Sequence, residues 1–191
     1  MCIRDSPDWG VQSGHVSSYK GTGETWDPLE DEIWRIEKNR NTGRYGLDLS
    51  PIGDFNNDGY PDMAIISRGH QRGDLSGVSE PSGCTFTASG AVYIYLGGPS
   101  GLSPTPAFRV HAPNGYNYLN RVIGGFDFNG DGYGDLILTN YSWSGGNGGF
   151  VLVTGRDQPS SGGITGICDS CLLYTSPSPR DQRGSRMPSS A

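Results

Sequence analysis

Carboxylate and amide side chains alternate in two short stretches, "DFNNDGYPD" at residues 54 to 62 and "DFNGDGYGD" at residues 127 to 135. Both obey the order Asp-x-Asn-x-Asp-Gly-Tyr-x-Asp. Alternate positions bring the side-chain oxygens of Asp54, Asn56, Asp58 and Asp62 around one centre, with the backbone carbonyl of Tyr60, while Gly59 permits the sharp reversal that wraps the chain. The second centre is built from Asp127, Asn129, Asp131, the carbonyl of Tyr133, and Asp135, with Gly132 at the turn. Oxygen ligands without His or Cys at ligand spacing select a hard cation. Calcium fits better than magnesium, because it accepts many oxygen ligands at flexible geometry whereas magnesium keeps its waters in a strict octahedron. The expectation is two Ca2+ sites, each with three carboxylates and an affinity on the order of 10⁻⁴ to 10⁻³ M, as in extracellular modules.

Other chemistries for the same residues explain less. An EF-hand needs a bidentate Glu at the twelfth position, but counting from Asp54 gives Ile65 and from Asp127 gives Leu138. A glycosidase-like acid/base pair of Asp54 and Asp58 uses only two of the acidic positions. A turn that binds nothing does not require the ligand order to recur with its glycine. Histidine offers no alternative: His15, His70 and His111 lie in separate segments with no nucleophile or metal motif beside them. "SGGNGG" (144 to 149) lacks the Lys-Ser/Thr of a phosphate loop. No catalytic residue and no organic cofactor is expected. Trp143 is a candidate for ligand stacking, Trp34 for the core, and "NYS" (140 to 142) fits a glycosylation sequon by pattern.

The chain ends differ in kind from the middle. "MCIRDS" (1 to 6) and "CLLYT" (171 to 175) can be read from opposite strands of one DNA segment, which resembles a translated sequencing adapter, and "SPSPRD" fits its continuation. Residues 1 to 6 and 171 to 191 are therefore set aside. Residues 7 to 170 hold 10 Lys and Arg against 18 Asp and Glu, a formal charge of −8, which disfavours nucleic acid as a partner. No apolar run reaches the length of a membrane span. Cys84 and Cys168 remain as one disulfide or two thiols.

The acidic loops belong to a longer repeat with a spacing of 73 residues between Asp54 and Asp127. Trp34-Arg35-Ile36 lies over Phe108-Arg109-Val110, "DMAIIS" (62 to 67) over "DLILTN" (135 to 140), and "GAVYIYLGG" (90 to 98) resembles "GFVLVTG" (149 to 155). Aromatic and β-branched enrichment between turn residues predicts four strands per unit. They fall at 45 to 50, 62 to 67, 91 to 96 and 33 to 37 in the first unit, and at 118 to 123, 135 to 140, 150 to 154 and 107 to 111 in the second.

Four strands repeated in this way suggest a propeller blade. With Tyr45-Gly46, the two acidic loops and "SGAVYIYLGGPSGLSPTPAF" (89 to 108), the chain resembles the FG-GAP repeats of integrin α-subunit propellers and related bacterial proteins. The likeness covers residues 33 to 156. Two places depart from the pattern: "SRG" and "TNY" stand where Gly-Ala-Pro follows the second strand, and Tyr118-Leu119 stands for the aromatic-glycine pair. The fold class implied is all-β, a partial β-propeller of about two four-stranded blades, at 33 to 106 and 107 to 170. Residues 7 to 32 fit an insertion or the remains of a preceding blade. The resemblance implies a secreted or cell-surface location and adhesion or ligand binding, with an unknown protein or carbohydrate ligand and the missing propeller blades of the same chain as partners. The alternative is a non-catalytic scaffold within a larger extracellular hydrolase or phospholipase. Two blades alone leave a sheet face uncovered, so association is expected.

Overall fold

The computed structural model of the protein describes residues 14–20, 31–38, 45–68, 78–79, 90–111, 119–140, 149–157, 164–167 and 172–174. Within these the structure is all-β. In chain order the strands are β1 Gly14–Tyr19, β2 Glu32–Lys38, β3 Tyr45–Gly53, β4 Asp62–Ser67, β5 Val78–Ser79, β6 Ala91–Tyr95, β7 Phe108–His111, β8 Arg121–Phe126, β9 Asp135–Asn140, β10 Gly149–Val153, β11 Ile164–Ile167 and β12 Leu172–Tyr174.

β3, β4, β6 and β7 form one antiparallel blade, in which β4 and β6 are near-continuous apolar runs buried on both faces. β11 adds to β7 in parallel, and β5 to β11, extending this sheet to six strands. The second blade has the order β12-β10-β9-β8, again antiparallel. Pro51 sits within β3, paired with Met63; β3 is the outer strand, where a residue without N–H is tolerated. β3 and β8 run past the expected ends at residues 50 and 123, because a register shift near Pro51 and another near Gly124 carry each strand up to its acidic loop.

The sheets are offset by one strand from the sequence repeat. β7 heads the second repeat unit, yet it hydrogen-bonds to β6 of the first, with Val92 opposite Val110 and Tyr93 opposite Arg109. β2, which heads the first unit, pairs instead with β1 in the matching register, Val16 opposite Ile36 and Ser17 opposite Arg35. On β10 the slot equivalent to β7 is taken by β12, with Leu152 opposite Leu172. β12 lies in the segment set aside as adapter-derived.

Packing follows the alternation of strand side chains. One face of the first blade carries Tyr45, Ile65, Tyr93 and Tyr95, which close over Val16 of the β1–β2 pair. Trp34 stacks on Tyr95 with ring centroids 6.2 Å apart and donates its indole N–H to the carbonyl of Leu102, which packs it half-buried against the core rather than fully inside it. The opposite face carries Ile52, Phe55, Ile66, Ile94 and Phe108, which pack on Val122, Leu136, Leu138 and Val151 of the second blade. Leu119, at the expected aromatic-glycine position, is buried in this same cluster. The backbones meet closely at Gly124, where a Cβ would stand 2.7 Å from the Cα of Ile52. The β1–β2 pair, the first blade and the second blade are thus stacked in chain order.

The far face of the second blade has no such cover among the described residues. Ile123 is 50% exposed there and Phe128 is 69% exposed, although the repeat-equivalent Phe55 is fully buried. Such a pair of exposed apolar side chains favours association. Replacing Ile123 and Phe128 together by Ser is expected to raise the monomer fraction in sedimentation velocity, with stability changed by no more than about 0.5 kcal/mol because both side chains are exposed. An unchanged sedimentation profile would show that this face does not drive association.

Candidate metal centre

Each acidic loop connects the outer strand of its blade to the next one, β3 to β4 and β8 to β9. Carboxylate oxygens accept backbone N–H groups in short loops of this kind, which fixes the turn without any partner from elsewhere. In the first loop Asp54 accepts N–H bonds from Asp58 at 2.9 Å and from Gly59 at 2.7 Å. Asp58 accepts from the Tyr60 N–H and from the Asn56 side-chain amide, both at 2.9 Å. Gly59 has φ of +91° and its counterpart Gly132 has +90°, the left-handed region that glycine enters without strain. The second loop reproduces the circuit: Asp127 accepts from Gly130 and Gly132, and Asp131 from Tyr133 and the Asn129 amide. These N–H groups, that of Gly132 first, hold the Asp127 carboxyl below the usual carboxylate range.

The third acidic position behaves differently. Asp62 and Asp135 are almost fully buried, and each places one oxygen on its own loop and the other on the exit of the third strand. Asp62 accepts from the N–H groups of Phe55 and Gly97, each at 2.7 Å. Asp135 accepts from Phe128 at 2.7 Å and Gly155 at 2.9 Å. Burial pushes the Asp62 carboxyl up to about 6; the Gly97 and Phe55 N–H groups oppose that rise, and the charges of Asp58 and Asp54 add to it.

The structure therefore brings Asn56 to Asp58, and Asp54 to the backbone of Asp58, and sets Asp62 behind them as a clamp. Tyr60 is 39% exposed at the loop rim. Among the described residues no three acidic or histidine side chains converge closely enough, as placed, to hold a metal. The donor set nevertheless suits a hard cation in one particular respect. The Oδ1 of Asn56 is buried within the loop and receives no hydrogen bond, although a buried amide oxygen normally has a donor. In the second loop the Asn129 Oδ1 takes the Asp131 N–H at 3.1 Å.

The two loops also meet the blade joint. The Gly134 N–H donates to the Asp54 carbonyl at 2.6 Å and the Arg156 N–H to the Phe55 carbonyl at 2.8 Å. Tyr133 donates its hydroxyl to Asp157 at 2.9 Å, which raises the Tyr133 pKa. Val122 N–H bonds the Asp48 carboxylate at 2.9 Å. Sequence reading missed these contacts, since most use backbone atoms; the signal available was the glycine ending the third strand of each unit, Gly97 and Gly155. A Cβ on Gly155 would lie 2.7 Å from the Phe55 carbonyl oxygen. His15 and His111 fall on separate sheets, while His70, Trp143, Cys84, Cys168 and the sequon residues Tyr141 and Ser142 lie outside the described residues.

Removing Asp62 orphans two buried N–H groups, so Asp62→Ala is expected to cost on the order of 3 kcal/mol in denaturant unfolding. The raised folded pKa also has a sign. The folded chain binds the Asp62 proton more tightly than the unfolded chain, so this contribution is fully present below about pH 4 and is lost as pH rises through about 6. In chelator, stability should fall across that window, and Asp62→Asn should flatten the fall. An equal slope in the variant would assign the pH dependence to other groups.

Residues 118–154, which include the second loop, match the FG-GAP repeat family. The chain is 35% identical to mouse integrin alpha-IIb over 104 residues, which are 53% of this chain and 9% of that protein. It is 35% identical to mouse integrin alpha-E over 50% of this chain and 8% of that one. With rat phosphatidylinositol-glycan-specific phospholipase D it shares 32% identity over 52% of its length, 10% of the relative's. The match thus spans about a tenth or less of each of these relatives. Residues 118–154 form an FG-GAP repeat, and over half its length the chain is similar to integrin alpha subunits.

Proposed function

We propose that this chain is a calcium-stabilised, non-catalytic repeat module of a secreted or cell-surface protein, whose loops serve adhesion or ligand binding. The observation that carries the calcium part is the buried, donor-less Oδ1 of Asn56, set in a loop whose other side-chain ligands are carboxylates. Asp54, Asn56, Asp58, Asp62 and the Tyr60 carbonyl would hold the first ion, and Asp127, Asn129, Asp131, Asp135 and the Tyr133 carbonyl the second. A bound calcium ion would supply positive charge that offsets the repulsion among three carboxylates. The chain's own residues do the rest: Asp62 and Asp135 anchor each loop to its sheet, and the Gly59 and Gly132 turns direct the oxygens inward.

The integrin likeness supports the adhesion and surface assignment, with an unidentified protein or carbohydrate as ligand. No helix among the described residues is long and apolar enough to cross a membrane. A second reading is favoured by one observation, the similarity to a phosphatidylinositol-glycan-specific phospholipase D: the module would then be a scaffold beside a catalytic domain. Longer genomic sequence separates the two, since a neighbouring nucleophile or metal-triad motif supports the enzyme and further repeats or an anchor support adhesion.

Binding to the folded state alone raises stability by mass action, on the order of 1–2 kcal/mol per site at about 5 mM calcium for affinities on the order of 10⁻⁴ to 10⁻³ M. The melting temperature of the chain is expected to rise by several degrees in 5 mM calcium relative to chelator, roughly 2–4 °C per kcal/mol. The response should disappear when Asp58 and Asp131 are both replaced by Asn. Equal melting temperatures in calcium and chelator would defeat the reading.

A further inference from the structure

We propose that Asn129 is a self-modifying position: the second acidic loop promotes attack of the Gly130 backbone nitrogen on the Asn129 side-chain amide, converting Asn129 through a succinimide into aspartate or isoaspartate. The step uses only this chain's own atoms and water, and it is independent of the calcium reading above.

Succinimide closure needs a bare residue after the asparagine, because a Cβ there crowds the five-membered ring. Among the described residues Asn129 alone is followed by glycine. Both residues are exposed, and a Cβ built on Gly130 would meet nothing within 4 Å, so neither ring closure nor the entry of water is obstructed.

Three contacts supply the chemistry. The nucleophile is the Gly130 nitrogen, and its N–H donates to Asp127 Oδ1 at 2.7 Å, within reach of a general base. Asn129 Oδ1, which gains negative charge as the tetrahedral intermediate forms, accepts the Asp131 N–H at 3.1 Å, an N–H shared with Asp127 Oδ1 at 3.2 Å. That bond curls the side chain over the peptide that carries the Gly130 nitrogen. The leaving nitrogen, Asn129 Nδ2, donates to Asp131 Oδ2 at 2.7 Å. Asp127 takes the Gly130 proton, the nitrogen lone pair bonds to Asn129 Cγ, and the Cγ–Nδ2 bond breaks as ammonia leaves with that proton. Water then opens the ring, at Cγ to give aspartate or at the Asn129 backbone carbonyl carbon to give isoaspartate.

The first loop lacks this arrangement. Asn56 is followed by Asn57, whose side chain crowds the ring, and the Asn56 Oδ1 has no donor. Conversion would therefore leave the first loop its amide and give the second a fourth carboxylate, or in isoaspartate a backbone longer by one methylene between Asp127 and Asp131. The change runs one way.

The test is peptide mapping by mass spectrometry, with isoaspartate assayed separately, on the full 191-residue chain kept in chelator at neutral pH, folded and in urea. Asn114 and Asn147, also followed by glycine, calibrate the unassisted rate in urea. Asn129 is expected to convert about tenfold faster in the folded chain than in urea, a modest share of what a positioned base and an oxyanion donor supply together. Asn56 should stay intact. Asp127→Asn, which keeps an oxygen for the Gly130 N–H but no base, should slow conversion toward the urea rate in a chain shown by circular dichroism to remain folded. Conversion of Asn129 no faster in the folded chain than in urea, an Asn129 that stays intact, equal conversion of Asn56, or an unaltered rate in folded Asp127→Asn would overturn the proposal. Should that variant unfold, the comparison of folded chain with urea decides alone.

Discussion

A carboxylate removed from water must be met by hydrogen-bond donors, and in each blade that requirement is satisfied by two backbone N–H groups far apart in the chain. Asp62 joins Phe55 to Gly97, and Asp135 joins Phe128 to Gly155. Charge-assisted bonds of this length are the strong kind. They set where the acidic loop sits relative to the end of the third strand, and so which oxygens can face a common centre. The same constraint reaches the neighbouring blade. Gly155, held by Asp135, is followed by Arg156, whose N–H bonds the first blade's Phe55 carbonyl. One buried carboxylate thus fixes a loop, a strand end and half of a joint.

Much of this was legible in the residues. The 73-residue repeat, the apolar strands β4, β6 and β9, and the order of the loop positions follow from side-chain type and spacing, and Trp34 packs half-buried against the core where its alignment with Phe108 implies a core residue. The rest depends on partners that a pattern does not name. β7 could hydrogen-bond on either side of the repeat boundary, and only the sheet decides that it belongs with β6. The extension of β3 through Pro51 was hidden because proline normally ends a strand, and only its place on the outer strand removes the penalty. Asp62 and Asp135 have the spacing of ligands, but their burial and their two N–H partners make them anchors first.

The pair Phe55 and Phe128 shows how little of a residue's environment is intrinsic to it. The two occupy the same place in the repeated loop, yet one is core and the other surface. The distinction comes from the blade that follows the first loop. The identity of Gly134 matters in the same way: its repeat counterpart is Pro61, which has no N–H, so the bond that ties the second blade to Asp54 has no equivalent beneath the first. There the β1–β2 pair is held instead by Val16, the Trp34–Tyr95 stack and the indole bond to Leu102.

This stack has a direction, like a filament with unlike ends. At one end the outer side of β2 presents Ile33 beside an Arg35–Glu32 ion pair. At the other, the outer side of the second blade presents Ile123 and Phe128 with the carbonyls of an acidic loop. Among the described residues, the contacts already used inside the molecule are offered again at the second end. Whatever unit adds there must bring its own pair of N–H donors and a bare glycine at the place where Gly134, Arg156 and Gly155 meet the first loop.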